Sequence, residues 1–172
     1  MSSEHVDHIR AKLLTASEEA HLYVILDGAS VPDLWQRLAT PDLSSVCLLR
    51  GELDSELAQV APYLMELDRQ PALLDWILTE GWGKHWGIFL ITEATFRAVR
   101  QHSRSLLQVY SPEDEPLFFR FYDPRVLRAF LPTCDRDQLA DLFGPIKRYC
   151  MEAEENHAML EYEFNDGALV QL

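Results

Sequence analysis

Apolar runs alternate along the chain with stretches of helical periodicity. Residues 22–26, 46–49 and 88–91 are short, apolar runs of the kind found in strands that are covered on both faces. Between them, apolar residues recur at the three- and four-residue spacing of amphipathic helices. Strands joined by helices are typical of parallel sheets. The pattern therefore predicts an α/β fold with a mixed, mainly parallel sheet flanked by helices.

The helical period is lost after Pro145. Short β-favouring segments follow, and Asn165-Asp166-Gly167 is a strong signal for a hairpin turn between the last two of them. We expect a single domain overall, in which an α/β domain of residues 1–145 carries a small antiparallel, β-rich tail of residues 146–172 packed on it. Residues 106–110 and 117–122 are predicted to form a separate hairpin with an acidic loop.

A strand pattern changes to a helix pattern at Asp123-Pro124. The aromatic run from Phe118 to Tyr122 favours a strand, while Pro124 suits the first position of a helix that Asp123 can cap. Arg120 interrupts the aromatic run, and a buried guanidinium needs a carboxylate or an aromatic ring as its partner.

Two interpretations of the arginines at this junction remain open. Arg120 can form an internal pair with a carboxylate and thereby fix the junction. Alternatively, Arg120, Arg125 and Arg128 can present donors to a partner, which bidentate guanidinium geometry serves well.

The segment Gly81-Trp82-Gly83-Lys84-His85-Trp86-Gly87 has an unusual density of glycine and tryptophan. Tryptophan in such a loop either plugs the end of the core or forms the aromatic part of a contact surface. Both interpretations are open for Trp82 and for Trp86. His85 has no nucleophile or acid beside it in the sequence, which favours a structural hydrogen-bonding role over that of a general base.

Charge and composition limit the classes of partner. The 172 residues are 48% hydrophobic and 25% charged, and the formal net charge is -13. Such a charge disfavours nucleic acid and anionic membrane surfaces as partners. Nine of the fifteen basic residues nevertheless lie between Arg97 and Arg148, so a local basic face is expected. The start of the chain lacks the features of a signal peptide, which predicts a cytoplasmic protein.

Neither a metal nor another cofactor is expected. Cys47, Cys134 and Cys150 are odd in number and widely spaced, which fits reduced thiols better than a zinc site. His5 and His8 share a predicted helix face without a third ligand at suitable spacing, and neither a dinucleotide fingerprint nor a P-loop is present.

Four motifs stand out together: Leu26-Asp27-Gly28-Ala29, Ala61-Pro62-Tyr63-Leu64, the residue 81–87 segment and Phe119-Arg120-Phe121-Tyr122-Asp123-Pro124-Arg125-Val126-Leu127. In these motifs the chain resembles the type VI secretion effector chaperone family, also called adaptors and long catalogued as a domain of unknown function. The resemblance extends from about residue 22 to residue 145. It implies a bacterial cytoplasmic protein that binds one toxic effector and loads it onto the VgrG spike protein without itself being an enzyme. A co-chaperone is a further candidate partner.

Aromatic and arginine side chains in these motifs are of the types that anchor protein interfaces. A different class of function is a small hydrolase or transferase that uses Asp27, His85, Arg120 and Asp123 in a crevice at the carboxyl ends of the strands. A ligand-binding domain, with the tryptophan segment over a pocket, is a third hypothesis. The predicted partner-binding residues are Trp82, His85, Trp86, Arg120, Tyr122, Asp123, Arg125 and Arg128.

Overall fold

The computed structural model describes residues 3–39, 41–111, 113–155 and 158–172. These residues form helices α1 Ser3–Ala16, α2 Leu34–Leu38, α3 Ser55–Val60, α4 Pro71–Trp76, α5 Phe96–Leu106, α6 Pro124–Phe130 and α7 Arg136–Phe143. A π-helical turn, Ile77–Gly81, extends α4, and a 3-10 turn, Leu131–Thr133, follows α6. The strands are β1 His21–Asp27, β2 Ser45–Cys47, β3 Pro62–Glu66, β4 Gly87–Thr92, β5 Gln108–Tyr110, β6 Pro116–Phe118, β7 Arg148–Glu152, β8 Met159–Asn165 and β9 Ala168–Gln171.

Seven of the strands form one sheet in the order β2-β3-β1-β4-β7-β8-β9. Every neighbouring pair in it is antiparallel, so the prediction of a mainly parallel sheet is wrong. Strands β3 and β4 do run in the same direction and are joined through α4, as the helix-linked pattern suggested. However, β1 lies between them and pairs antiparallel with both. The helical connection therefore crosses over a strand instead of joining neighbours.

Helices cover both faces of this sheet. Along β1, Val24 belongs to the core beneath α1 and α4, whereas Tyr23 and Ile25 belong to the core beneath α5, α6 and α7. Successive strand residues point to opposite faces, so a strand covered on both sides is apolar throughout. The expectation of burial on both faces is confirmed for β1 and β4 but not for β2, whose residues are only partly buried. Such burial does not require parallel pairing.

The β-rich tail continues the main sheet. Strand β7 pairs with β4, with Phe89 opposite Cys150, and β8 and β9 extend the sheet outward. The predicted hairpin turn is confirmed between β8 and β9, where Asp166 and Gly167 both have positive φ. The last three strands thus form one end of a single seven-stranded sheet.

The strand predicted before Asp123 is shorter than expected. Hairpin β5–β6 ends at Phe118, and residues 119–122 leave it in a turn in which the amide of Asp123 donates to the carbonyl of Arg120. Phe121 and Tyr122 are buried in this turn among the helices, because their rings fill the core beneath α6 without strand pairing. The predicted helix starting at Pro124 is confirmed as α6.

Within the described ranges, no helix is both long enough and apolar enough to cross a membrane.

Candidate functional site

Antiparallel pairing brings the ends of distant strands to one edge of the sheet. Strand β1 ends there at Asp27, β4 begins at Gly87, and β7 ends at Glu152. The turn before α6 packs at the same edge, because Arg120 contacts Asp27. We refer to Asp27, His85, Arg120, Asp123, Arg125, Arg128 and Glu152 as the charged cluster.

Asp27 is the buried acceptor at the end of β1. Its side chain is 2% exposed, and it accepts hydrogen bonds from the amide of Ala29 at 3.1 Å and the hydroxyl of Ser30 at 2.9 Å. Arg120 donates to the same carboxylate through Nη2. The internal pair that was one of the two interpretations of Arg120 is therefore present. The Arg120 side chain is still 44% exposed, so its outer edge faces solvent.

Asp123 is the second buried carboxylate, and Arg125 binds it twice. Arg125 donates from Nε at 3.0 Å and from Nη2 at 2.7 Å, and its backbone amide completes the helix cap at 2.9 Å. Burial opposes ionisation of Asp123, but the bonds from Arg125 outweigh it and hold the pKa of Asp123 below its usual value. Arg120 Nη2 lies 3.9 Å from the same carboxylate, so Asp123 joins the two arginines.

Tyr122 lies beneath Arg120. Its ring is 3% exposed, and its centroid is 5.9 Å from the guanidinium carbon of Arg120. Burial, together with the nearby charge of Asp27, raises the pKa of Tyr122 to about 12. The phenol therefore stays protonated at neutral pH, and the ring serves as a packing surface beneath Arg120.

Glu152 holds the tryptophan segment to the end of β7. Its carboxylate is 4% exposed and accepts from the amides of Gly83 and His85, the latter at 3.0 Å. Nδ1 of His85 lies against the same carboxylate. These contacts agree with the structural hydrogen-bonding role expected for His85. Arg128 lies nearby, with Nη1 3.5 Å from the carbonyl oxygen of Glu152 and Nη2 3.8 Å from Glu154.

Both tryptophans of the segment plug the end of the core. Trp82 and Trp86 are 8% and 6% exposed. The Trp86 ring packs 4.8 Å from that of Trp76, and the Trp82 ring lies 6.2 Å from that of Phe89. Their rings consequently offer little surface to a partner. The side chains that the segment does expose are those of Lys84 and, in part, His85.

The charged cluster connects the ends of strands β1 and β7 with the tryptophan segment and the start of α6. It brings Asp27, Arg120 and Asp123 together, as the hydrolase hypothesis required, but His85 faces Glu152 instead of joining them. Each of the three buried carboxylates is bound by a guanidinium or by backbone amides. The arrangement can hold two half-exposed guanidinium groups, those of Arg120 and Arg125, in fixed positions at the surface.

Sequence reasoning missed Glu152 as a member of this cluster. Its partner His85 is 67 residues away along the chain. One signal was available: Glu152 ends the otherwise apolar run Tyr149-Cys150-Met151, and a carboxylate at the end of a buried strand needs donors.

A second polar group lies at the opposite end of β1. Among the described residues, His21, Glu66 and Asp68 bring three potential metal ligands within 4.8 Å of one another. Nδ1 of His21 is 2.6 Å from Asp68, whose other oxygen accepts from the amide of Leu22 at 2.7 Å. Mutual pairing and this backbone bond account for the arrangement.

A model of the family described as domain of unknown function DUF4123 matches residues 22–141. The chain belongs to the DUF4123 family. No curated protein and no solved structure matches the chain. The DUF4123 region contains Asp27, the tryptophan segment and α6, but it stops before β7. Glu152 therefore reaches the tryptophan segment of the DUF4123 region from outside that region.

Proposed function

We propose that this DUF4123 protein is an adaptor of a bacterial type VI secretion system. It binds a toxic effector protein in the cytoplasm, loads that effector onto the VgrG spike protein, and performs no chemistry itself. The observation that carries the proposal is the DUF4123 match over residues 22–141, the region that holds the four motifs resembling effector chaperones.

The geometry of the charged cluster supports binding over catalysis. Asp27 and Asp123 are engaged by arginines, and Glu152 by two backbone amides. An ionised carboxylate with a lowered pKa, such as Asp123, is a poor proton donor or acceptor near neutral pH. The exposed edges of Arg120 and Arg125 remain available to a partner, and arginine is enriched at interface hot spots.

Co-expression followed by affinity purification tests this function. The protein would carry the tag, and the candidates are any toxin and any VgrG spike protein that are encoded beside its gene. We expect the toxin and the VgrG tail to copurify with it in stoichiometric amounts and to remain bound through gel filtration. Recovery of neither protein would contradict the proposal.

Bacterial competition adds a functional test. Deletion of the adaptor gene should abolish killing by the paired effector and leave killing by another effector of the same apparatus unchanged. Equal loss of both would indicate a general role in the secretion apparatus, and no loss would rule out the adaptor role.

A further inference from the structure

Three arginines, Arg50, Arg100 and Arg104, lie near one another beside strand β2. Arg104 on α5 donates from Nη2 to the carbonyl oxygens of Cys47 at 2.8 Å and Leu49 at 3.2 Å. Burial and repulsion, chiefly from Arg100 with a smaller contribution from Arg50, lower the pKa of Arg104. Within the described ranges, no carboxylate lies within the 4.0 Å ion-pair distance of any of the three.

This clustering is costly in the isolated chain. Like charges placed together repel, and the Nε atoms of Arg100 and Arg104 are buried without a hydrogen-bond partner among the described residues. The whole protein carries a net charge of -13, so acidic side chains are plentiful elsewhere. A local positive charge that no carboxylate of the described residues pairs is therefore open to an anionic group from another molecule.

A groove of about 570 Å³ lies against two of these arginines, Arg50 and Arg104. Its walls are the segment after β2, the end of α5 and hairpin β5–β6, which stands apart from the main sheet. The hairpin contributes Tyr110, Leu117 and Phe118, which are 64%, 49% and 55% exposed. Arg50 and Arg104 line the same groove. Apolar side chains that are this exposed and adjacent mark a binding surface more often than a solvated one.

We propose that this groove binds an acidic amphipathic segment of a partner protein. The apolar side chains of the segment would pack on Tyr110, Leu117 and Phe118. Its carboxylates would pair with Arg50 and Arg104, the two arginines that line the groove. A protein segment fits better than a nucleic acid, because the exposed side chains of Tyr110, Leu117 and Phe118 can pack on apolar residues of such a segment, whereas a phosphate backbone offers them no apolar surface.

The edge of β2 is closed to simple strand addition, because Arg104 occupies the carbonyl oxygens of Cys47 and Leu49. Side-chain contacts in the groove would therefore supply the recognition. The existence and chemistry of the groove do not depend on the function proposed above. Only the assignment of the bound segment to the effector rests on that function.

Fluorescence anisotropy with two labelled peptides tests the groove. Both peptides alternate leucine and phenylalanine with charged residues, which are glutamate in one and lysine in the other. We expect the glutamate peptide to bind and the lysine peptide not to bind. Arg50→Glu and Phe118→Ser should each weaken binding of the glutamate peptide about tenfold. Both positions are exposed, so circular dichroism should show an unchanged fold.

Matched controls change the same chemistry outside the groove. Arg97→Glu reverses an exposed charge on the same helix as Arg104, and Leu14→Ser removes an exposed apolar side chain from α1. Both should bind the glutamate peptide within about twofold of the wild type. Equal losses in controls and groove variants, or equal binding of the two peptides, would overturn the proposal.

Other occupants give different results. Displacement of the peptide by millimolar inorganic phosphate alone would indicate a small-anion site, and concentration-dependent dimers that Phe118→Ser abolishes would indicate a second copy of the chain; either result overturns the proposal. The same variants then enter the effector purification. An effector that binds the wild type and Arg50→Glu equally shows that the groove is not the effector's binding site, and leaves the adaptor function standing. Binding of the glutamate peptide without any effector refutes the adaptor function but not the groove.

Discussion

Replacement of Glu152 by alanine should loosen the tryptophan segment and destabilise the whole domain. The Glu152 carboxylate accepts from the amides of Gly83 and His85 and is almost fully buried. Alanine offers no acceptor, so both amides lose their partner. The segment carries Trp82 and Trp86, which close the end of the core, and these rings would become more exposed to water.

The magnitude follows from the two lost bonds. A hydrogen bond to a charged acceptor contributes about 1.5–3 kcal/mol, and an amide left without a partner in a buried site costs about 1–3 kcal/mol. Gly83 and His85 are only half-buried, so water can replace part of the loss. We therefore expect the free energy of unfolding to fall by about 2–4 kcal/mol. Glu152→Gln keeps one acceptor oxygen, so the free energy of unfolding of this variant should fall by about half as much.

Urea denaturation followed by tryptophan fluorescence and by circular dichroism measures this loss. With a urea dependence of about 2 kcal/mol per molar, the midpoint should drop by about 1–2 M. The matched control is Glu154→Ala, because Glu154 follows the same strand but its side chain is 81% exposed. The free energy of unfolding of this control should stay within about 0.5 kcal/mol of the wild-type value. If the two alanine variants prove equally stable, Glu152 does not hold the segment.

Two further substitutions probe the charged cluster and the core beside it. Arg125 holds the pKa of folded Asp123 below its reference value of 3.8. Ionised Asp123 therefore stabilises the native state above that pH. This stabilisation is lost as the pH falls through the lower pKa of the folded state. Asp123→Asn should lower the melting temperature by roughly 2–8 °C at neutral pH; a difference from the wild type that does not shrink below about pH 4 would contradict this. Gly81→Ala would place a Cβ 2.3 Å from Cε3 of Trp86 and should cost about 1–3 kcal/mol with a red-shifted tryptophan emission. Gly51→Ala has open space around its Cβ and only a positive φ, so its cost should be about 1 kcal/mol without the emission shift.

Local signals in the sequence predicted local structure well. Asp123-Pro124 predicted the start of α6, and Asp166-Gly167 predicted the turn between β8 and β9. Each of these features depends on a few adjacent residues, whose side chains and allowed dihedral angles determine a cap or a turn.

The direction of strand pairing could not be predicted in the same way. Strand β1 pairs with β3 and β4, both of which lie far from β1 in the sequence, and its apolar run is compatible with parallel or antiparallel neighbours. The error came from equating strands that are joined by a helix with strands that are adjacent in the sheet. Burial on both faces, which the run does encode, was predicted correctly.

In the charged cluster, too, the local requirement could be predicted from the sequence but the distant partner could not. The position of Arg120 among aromatic residues predicted that it needs a carboxylate, and it has one. Its partner Asp27 is 93 residues away, so the sequence specified the type of partner but not its identity. The roles of Arg120 and Arg125 in binding another protein stay predictions.

The order in which the sheet is completed has a consequence for synthesis. Ribosomes release β1, β3 and β4 well before β7, yet β7 provides the hydrogen-bonding neighbour for one side of β4. Until then, the nascent chain carries an unprotected β edge bordered by apolar residues, which is a site for unwanted association. We therefore expect ribosome-bound intermediates that end before residue 148 to bind general chaperones more readily than the full-length chain does.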